Sequence, residues 1–385
     1  MYKKICLIIF IFFLTGCYDH QELNDIAILS ATEINKDKDN YIINAQIVNP
    51  QAPDKTITAS APFIIYKSLG KTIQESYRNI ITSSPRYIYP DHLRIVIINE
   101  NIAKKDITKL LDFYLRNPLA RTEFKVLIGK DNDILNVITP IDTLSSSSIL
   151  NTLKTSSNYL GTTSIVTLND LADMYLNPRK EIVLPSIKLK NNNNEDNDLE
   201  NIQKTESPNT YELDTLAVFK KGTLLGYLSK EESITYNIIK NNLKNTIINY
   251  ECENNKYLSF EVIQNKSKIT TKNKEIYIDI NMTGTINESS CKLNLNNNKN
   301  INRLNNKLSN YVKSNITNNI ENIKNKYNSD IFGFLDIIYK YDYNTYLELK
   351  DNWYNSEFKN IKININPKIK IIAKGNVMEG INEKN

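Results

Sequence analysis

A strand–helix–strand pattern in residues 91–129, DHLRIVIINENIAKKDITKLLDFYLRNPLARTEFKVLIG, constrains the fold of this chain most strongly. Two short apolar runs, Leu93 to Ile98 and Phe124 to Ile128, are typical of buried strands. The segment between them has Asp106 as a candidate N-cap and an apolar stripe at helical spacing: Ile107, Leu110, Leu111, Tyr114 and Leu115. If the strands are parallel neighbours, the crossover should be right-handed. The pattern predicts a sheet with helices packed on it.

The residues before this block predict a hairpin and then a helix. Ile26 to Ala31 is an apolar strand, and Lys36 to Asn40 is a polar turn. In the second strand Asn44 and Gln46 alternate with Ile43, Ala45 and Ile47, so we expect one face to meet water. The helix ends before Pro85, and its apolar stripe is Ile73, Tyr77, Ile80 and Ile81.

Further elements follow the block on both sides of a polar segment. Before that segment we expect helices at 145–157 and 168–176, the second capped by Thr167 and Asp170, and strands at 182–184 and 186–189. After it we expect a hairpin turning at 220–222, a helix capped by Ser229 and Glu232, and strands near 245–252, 257–270 and 274–288. A long helix at 301–327, helices at 331–341 and 344–355, and a strand at 361–371 complete the chain. Pro367 within this last strand is typical of an edge strand or a bulge.

These elements alternate between sheet and helix signals, and the length of about 370 residues without residues 1–16 suggests two or three domains. We place an N-terminal domain at 17–140, a smaller domain at 141–190 and a C-terminal domain at 211–378. Residues 191–210 have almost no apolar side chains and predict a flexible linker.

The amino terminus has the pattern of an export signal ending at a lipid-attachment cysteine. Lys3 and Lys4 precede an apolar run, residues 5–14, that would span about 15 Å as a helix against a bilayer core of roughly 30 Å. This length suits a signal peptide, residues 1–16. Leu-Thr-Gly-Cys then matches the bacterial lipobox, which predicts cleavage between Gly16 and Cys17 and acylation of Cys17. The alternatives are an uncleaved anchor and an ordinary signal with a chance cysteine.

Charge and residue types limit the functional classes. The net charge of +5 becomes +3 without Lys3 and Lys4, which gives no case for nucleic acid and permits weak attraction to an anionic membrane. His20 and His92 are isolated, and no CxxC, HExxH, GxGxxG or GxxxxGK[ST] motif occurs. We therefore expect no metal, no cofactor and no catalytic residues.

Cys252 and Cys291 are the other cysteines outside the signal. Both lie near the ends of predicted strands, so a disulfide and two free thiols are the alternatives. Free thiols are favoured, because two distant cysteines are no disulfide framework and buried free thiols are common.

Several stretches in order resemble the Ger(x)C family of spore germination lipoproteins, the C subunits of nutrient germinant receptors. They are GCYDHQELNDIAIL, YIINAQIVNP, the block from LGKTIQ to KVLIG, LDTLAVFKKGTLLGYLSKEES and DIFGFLDIIYKYDYNTYLELKDNW. Tyr18 stands where the family usually has Trp, and the linker and the 290–300 region are Asn-rich and atypical.

The resemblance implies an α/β (α+β) protein with mixed sheets and three domains, each a sheet with helices packed on it. It implies a lipid-anchored, non-enzymatic protein on the outer face of the spore inner membrane. It also implies assembly with two integral-membrane partners, the A and B subunits, in a complex that senses small nutrients. Candidate interface residues beside the anchor are Asp19, Glu22, Leu23 and Asn24, although a buried Leu23 with solvated neighbours is the alternative.

Two other functional classes are alternatives. A lipid-anchored solute-binding protein would need two similar lobes around a cleft. A lipid-anchored hydrolase would need a nucleophile and a base, whereas the carboxylate pairs Glu231–Glu232 and Asp131/Asp133 lie at helix starts or turns, where carboxylates serve as caps.

Overall fold

The structure is a computed structural model, and it describes residue 22 and residues 25–49, 61–117, 121–190, 210–292 and 297–373. Within these residues the first sheet has nine strands: β1 (Ile26–Asp37), β2 (Asn40–Val48), β3 (Phe63–Gly70), β4 (Tyr87–Tyr89), β5 (Ile95–Asn99), β6 (Lys125–Gly129), β7 (Val183–Leu189), β8 (Tyr211–Lys220) and β9 (Thr223–Tyr227). Its helices are α1 (Ile73–Asn79), α2 (Glu100–Ala103), α3 (Thr108–Arg116), α4 (Ser145–Tyr159) and α5 (Leu168–Leu176).

The first sheet is mixed, with strand order β3-β2-β1-β5-β6-β7-β8-β9 and β4 beside the start of β1. Strands β1, β5, β6 and β7 run parallel, whereas β2, β3, β8 and β9 are joined by antiparallel pairs. The two strands of the strand–helix–strand block, β5 and β6, are parallel neighbours, which is the condition under which a right-handed crossover is expected. Thr167 and Asp170 form the expected capping box of α5, and Asp106 accepts a hydrogen bond from the Thr108 backbone N–H (2.8 Å) at the start of α3.

The second sheet has four strands in the order β10 (Thr246–Glu253), β11 (Lys256–Lys272), β12 (Glu275–Ser289) and β13 (Ile363–Ala373). Its helices are α6 (Lys230–Ile239), α7 (Asn298–Tyr327), α8 (Phe334–Tyr341), α9 (Tyr343–Leu349) and α10 (Phe358–Asn360). Asparagine is a poor helix former, so burial of one face must stabilise α7. The buried side chains on that face are Leu304, Leu308, Val312, Ile316, Ile320, Ile323 and Tyr327.

Strand β13 lies at the edge of the second sheet, as Pro367 predicts. Two of its backbone N–H groups are bound by side chains of α7. The N–H of Ile369 donates to Ser309 Oγ (3.1 Å), and the N–H of Ile371 donates to Asn305 Oδ1 (3.1 Å). The helix therefore covers an edge that would otherwise present unpaired backbone groups.

The described residues form two sheets, whereas the sequence predicted three domains with a sheet each. Residues 141–190 contribute β7 to the first sheet, and β8 and β9 extend that sheet beyond the predicted linker at 191–210. Strand β8 has two apolar faces: Leu216 and Val218 share a hydrophobic cluster with the second sheet, and Ala217 and Phe219 share one with β1, β5 and β6. Strand β8 pairs with β7, and the two hydrophobic clusters bury its two faces. The polar segment at 191–210 therefore connects two neighbouring strands of the first sheet and does not divide that sheet from the second.

The expected wet face of β2 is buried, so that prediction is wrong. Asn44 and Gln46 are 1% and 0% exposed. Gln46 Oε1 accepts hydrogen bonds from the Ser146 N–H (3.0 Å) and the Ser30 hydroxyl (3.1 Å), and Asn44 donates to Asp133 (3.0 Å). The start of α4 and the turn near Asp133 cover this face and bind Gln46 Oε1 and the Asn44 amide nitrogen, whereas Gln46 Nε2 and Asn44 Oδ1 are buried without a hydrogen-bond partner among the described residues.

Glu33 on β1 lies in the same polar layer and is fully buried. Its carboxylate accepts hydrogen bonds from the backbone N–H groups of Asp133 (2.8 Å) and Leu135 (3.4 Å). Burial raises the pKa of Glu33 to about 7, an effect that these hydrogen bonds oppose and the Asp133 carboxylate reinforces. At neutral pH this group therefore lies near its titration midpoint.

Buried Asp336 on α8 forms ionic contacts between the two halves of the protein, which are the part built on the first sheet and the part built on the second. It accepts hydrogen bonds from Asn177 (2.9 Å) and Arg179 (3.1 Å), which precede β7, and pairs with Lys340 (2.8 Å). Burial would raise the pKa of Asp336, but the hydrogen bonds from Lys340, Asn177 and Arg179 together lower it to about 2. The carboxylate therefore stays ionised at any pH at which Lys340 and Arg179 are charged and the pH is above about 2.

Cys252 and Cys291 form a disulfide, so the expectation of free thiols is wrong. Cys252 lies near the end of β10, and Cys291 follows the end of β12. Strand β11 lies between these two strands and pairs with both. The end of β12 lies beside the start of β11, where the Ser290 N–H donates to the Tyr257 carbonyl (2.9 Å), and the two Cα atoms are 6.2 Å apart.

Replacing Glu33 by Gln should change how stability depends on pH. Because the folded pKa lies above the ordinary value of 4.5, the stability that Glu33 contributes is fully present below about pH 4.5 and is lost as pH rises through about 7. From pH 5 to pH 8 the unfolding free energy of Glu33→Gln should therefore rise relative to wild type by about 2 kcal/mol. Urea unfolding at both pH values measures it, with exposed Glu288→Gln as control. A difference that does not depend on pH would contradict the prediction.

Reduction of the disulfide should lower the unfolding free energy by about 4 kcal/mol, because the bond closes a loop with a sequence separation of 39 residues and so lowers the entropy of the unfolded chain. Urea unfolding of residues 17–385, without acylation, in the presence and absence of reductant measures the change. The matched variant Cys252→Ser/Cys291→Ser should have the same unfolding free energy in both conditions. Titration of more than one reactive thiol, that of Cys17, in this unfolded and unreduced chain would contradict the pairing.

Candidate functional site

Most sequence-predicted site residues lie outside the described residues. These are Gly16, Cys17, Asp19, Leu23 and Asn24, and their roles stay predictions. Glu22 is described and exposed, and its carbonyl accepts a hydrogen bond from the Asp25 N–H (2.9 Å). The described chain therefore gives the position at which a tether at Cys17 would enter the fold.

Parallel strands β1, β5 and β6 begin at one edge of the first sheet, which we call the amino edge. It comprises residues 25–29, 78–94, 115–117 and 121–125. Strand β1 starts there beside β4, with Ile26 opposite Tyr87, and the Tyr87 N–H donates to the Asp25 carbonyl (3.0 Å). Helices α1 and α3 run back from the other end of the sheet and also end at this edge.

A cavity of about 180 Å³ opens at the amino edge between α1, α3 and β4. Its walls are mainly apolar and aromatic, with three polar side chains at the rim. The lining residues are Leu29, Gln74, Tyr77, Arg78, Ile81, Tyr87, Ile88, Pro90, Leu93, Phe113, Tyr114 and Asn117. Such a composition is typical of a site that binds apolar groups and orients them by a few polar contacts.

Two tyrosine hydroxyls lie at the base of this amino-edge cavity. Tyr77 donates to Thr32 Oγ1 (2.8 Å) and contacts the Tyr114 hydroxyl (3.0 Å), while its ring stacks on Phe113 with centroids 5.8 Å apart. Burial raises the pKa of Tyr77 to about 12, and burial also raises that of Tyr114 well above its ordinary value. Both phenols stay protonated at neutral pH, which suits binding rather than acid–base chemistry.

The amino edge exposes two apolar residues that belong to the predicted helical stripes, and one of them, Ile81, lines the cavity. Ile81 is 42% exposed and Leu115 is 44% exposed, whereas the other members of their stripes, such as Ile80 and Leu111, are buried. Tyr87 is a further exposed residue at 40%. The stripe predictions are therefore wrong at these two positions, because Ile81 lies in a 3-10 turn, Ile80–Thr82, that follows α1, and Leu115 lies in the last turn of α3 at the amino edge.

A wider groove of about 610 Å³ adjoins the cavity along α1 and α3 and shares Gln74, Phe113 and Asn117 with it. Its charged walls carry Lys36, Lys71, Lys109, Arg116 and one acidic residue, Asp112. Arg116 pairs with Asp112 (2.7 Å), so the remaining charge of the groove is positive.

A further cavity of about 260 Å³ lies between the two halves, and its carboxylates are held by the fold. Asp170 caps α5, Asp173 pairs with Lys180 (3.1 Å), and Glu181 accepts hydrogen bonds from the Lys221 N–H (2.8 Å) and the Tyr354 hydroxyl (2.9 Å). The hydrogen bond between Glu181 and Tyr354 joins the two halves, and each of these three carboxylates has a partner within the fold.

The carboxylate pairs considered for a hydrolase have structural partners. Glu232 completes the capping box of α6 with Ser229, and Glu231 accepts a hydrogen bond from the same hydroxyl (3.0 Å). Asp131 accepts one from the Leu189 N–H (2.8 Å). In the described part of the chain no three His, Cys, Asp or Glu side chains are grouped as a metal site requires.

Both halves of the chain match known families. Residues 19–189 match the family described as "Spore germination protein N-terminal domain", and residues 214–375 match "Spore germination B3/ GerAC like, C-terminal". The chain belongs to the Ger(x)C family of spore germination proteins. The gap between the two matches coincides with the polar segment that β7 and β8 bridge by pairing.

Relatives in this family extend over most of the chain. "Spore germination protein KC" of Bacillus subtilis (strain 168) is 26% identical over 368 residues, 91% of this chain and 89% of that protein. "Spore germination protein B3" of the same organism is 23% identical over 121 residues, 31% of this chain and 32% of that protein. The crystal structure of the GerBC protein has a similar fold, with a TM-score of 0.52, 16% identity and coverage of 89% of this chain and 96% of that one.

Among the residues that the structure describes, no helix is both long enough and apolar enough to cross a bilayer. The sequence predicts β1, β5, β6, α1 and α3 but neither β4 nor the cavity, because the cavity depends on where α1 and α3 end relative to β4. Ile81 is the stripe residue that marks the cavity mouth, and its helical spacing alone does not reveal its exposure.

Replacing Tyr77 by Phe should lower the stability of the folded protein by removing hydrogen bonds at the base of the amino-edge cavity. The substitution leaves Thr32 Oγ1 and the Tyr114 hydroxyl without this partner, so the unfolding free energy should fall by about 1–2 kcal/mol. Urea unfolding measures it. Tyr66→Phe is the control, since that half-buried hydroxyl has no hydrogen bond to a described residue. Equal effects of the two substitutions would contradict the assigned role.

Proposed function

We propose that this chain is a lipid-anchored subunit of a spore nutrient germinant receptor. The observation that carries the proposal is the match of both halves of the chain, in order, to the spore germination families. The lipobox at residues 14–17 supports the anchor. On this proposal Cys17 carries a diacylglyceryl group and an N-acyl chain, and residues 1–16 are removed.

The anchor places the folded part close to a bilayer, on the outer face of the spore inner membrane. Asp25 lies eight positions after Cys17, and a fully extended chain of that length reaches at most about 30 Å. Two acyl chains give stable attachment, whereas one gives marginal attachment. The first sheet therefore lies within this distance of the surface.

The proposed role is to assemble with the integral-membrane A and B subunits without catalysis, in a complex that senses small nutrients. Asp19, Glu22, Leu23 and Asn24 are the proposed contacts beside the anchor, and exposed Glu22 is compatible with this role. The solute-binding alternative has less support, because the two sheets differ in strand number and topology and do not form similar lobes.

Replacing Cys17 by Ala should release the chain from the membrane fraction of spores. Loss of the thiol removes the acylation site, so the protein should appear in the soluble fraction or be lost, and nutrient-triggered germination should fall at least tenfold. Membrane fractionation and germination assays measure the two effects.

Cys6→Ala is the matched control, because it removes a cysteine from the apolar run and leaves the lipobox intact. This variant should fractionate and germinate as wild type does. Full membrane retention with normal germination in Cys17→Ala would overturn the proposed anchor.

A further inference from the structure

We propose that the amino edge of the first sheet rests on an anionic lipid surface, with Arg78 and Arg86 bound to headgroup phosphates. Ile81 and Tyr87 would lie at the level of the headgroups beside them. The inference depends on the proposed anchor only to identify the membrane that the amino edge contacts. The contact itself follows from side chains that the structure describes.

The distribution of arginine is the first observation. The chain has 41 lysines and seven arginines, so its composition favours lysine as the basic residue. Five of the seven arginines fall within residues 78–121, and all five lie at the amino edge: Arg78, Arg86, Arg94, Arg116 and Arg121. Arginine binds phosphate through a planar, bidentate fork that lysine lacks. Concentration of the rarer cation at one edge therefore indicates an anion with phosphate geometry.

The internal partners of these arginines differ. Arg116 pairs with Asp112 (2.7 Å), Arg121 with Asp91 (3.5 Å), and Arg94 donates to Ser147 (2.8 Å). Arg78 and Arg86 form no ion pair with any described residue, and Arg78 is exposed at the rim of the cavity. These two side chains are the ones available to an external anion.

The apolar neighbours of Arg78 and Arg86 favour a lipid surface. Ile81 and Tyr87 line the same cavity mouth as Arg78, and each exposes about two fifths of its surface. Tyrosine is enriched where a bilayer meets water, because its ring is apolar and its hydroxyl is polar. Basic residues interleaved with exposed apolar ones are the composition of interfacial membrane contacts.

The position of the edge agrees with this occupant. Tyr87 donates to the carbonyl of Asp25, so the apolar rim lies beside the point where the chain from Cys17 enters the fold. The short tether, at most about 30 Å, keeps this edge close to the surface. Acidic residues Asp25, Asp91 and Glu123 also lie at the edge, which makes the attraction local to Arg78 and Arg86 rather than a property of the net charge.

The test couples the mature chain, residues 17–385, to vesicles through Cys17, which is its free thiol when Cys252 and Cys291 are paired. A maleimide lipid replaces the biological anchor, in vesicles of phosphatidylcholine alone or with 30% phosphatidylglycerol. Hydrogen exchange of residues 78–94 is then measured by mass spectrometry. We expect exchange there to slow severalfold on the anionic vesicles only, and 0.5 M salt to remove the effect.

Arg78→Gln/Arg86→Gln should abolish this slowing. Each basic side chain near an anionic surface changes the equilibrium constant for surface binding about fivefold, so the double variant should lower that constant about 25-fold. Lys266→Gln/Lys268→Gln removes the same charge from exposed positions on the second sheet and should retain the slowing. Arg78→Lys/Arg86→Lys should retain part of it, because charge remains but the fork is lost.

Three outcomes would overturn the proposal. They are no slowing on anionic vesicles, equal slowing on neutral vesicles, and slowing that persists in Arg78→Gln/Arg86→Gln. If the double variant keeps the slowing but loses co-purification with membrane proteins from spores, the edge is a protein interface instead. Because the vesicle assay supplies its own tether, failure of the Cys17→Ala test would leave its result unchanged.

Discussion

The fold depends on the burial of both faces of β8, the strand Tyr211–Lys220. Its residues alternate between two hydrophobic clusters, with Leu216 and Val218 toward the second sheet and Ala217 and Phe219 toward the first. A strand covered on both sides cannot be moved without exposing two cores. The Asp336 contacts with Asn177 and Arg179 reinforce the same junction with buried, charged hydrogen bonds. The two halves therefore form a continuous structure despite the polar segment between them.

Local signals predicted most elements, because they depend on nearby residues. The capping boxes at Thr167 and Ser229 and the stripe of α7 fall where the sequence indicates. The hairpin turn also matches, since Lys221 and Gly222 adopt positive φ there. These features need only side-chain spacing and backbone preference, so they do not require knowledge of the tertiary structure.

The errors share a physical cause, which is that burial depends on what packs on an element from elsewhere in the chain. Asn44 and Gln46 follow an ordinary two-residue alternation, but α4 covers their face and supplies polar partners. Ile81 continues a helical stripe, but α1 ends beyond the sheet. The pairing of Cys252 with Cys291 depends on the register of β10, β11 and β12, which the spacing of the cysteines does not reveal.

Sheet topology also determines where a surface site lies in this protein. Parallel strands bring their amino ends together, so the start of β1 lies beside β4 and the starts of β5 and β6. Helices that return from the opposite end must finish at that same edge, and the last apolar turn of each then has no strand beneath it. Ile81 and Leu115 are exposed for this reason, and Arg78 and Arg116 lie beside them. An apolar and basic rim next to the chain's entry point thus arises from the connectivity of the sheet together with the arginines that the sequence places there.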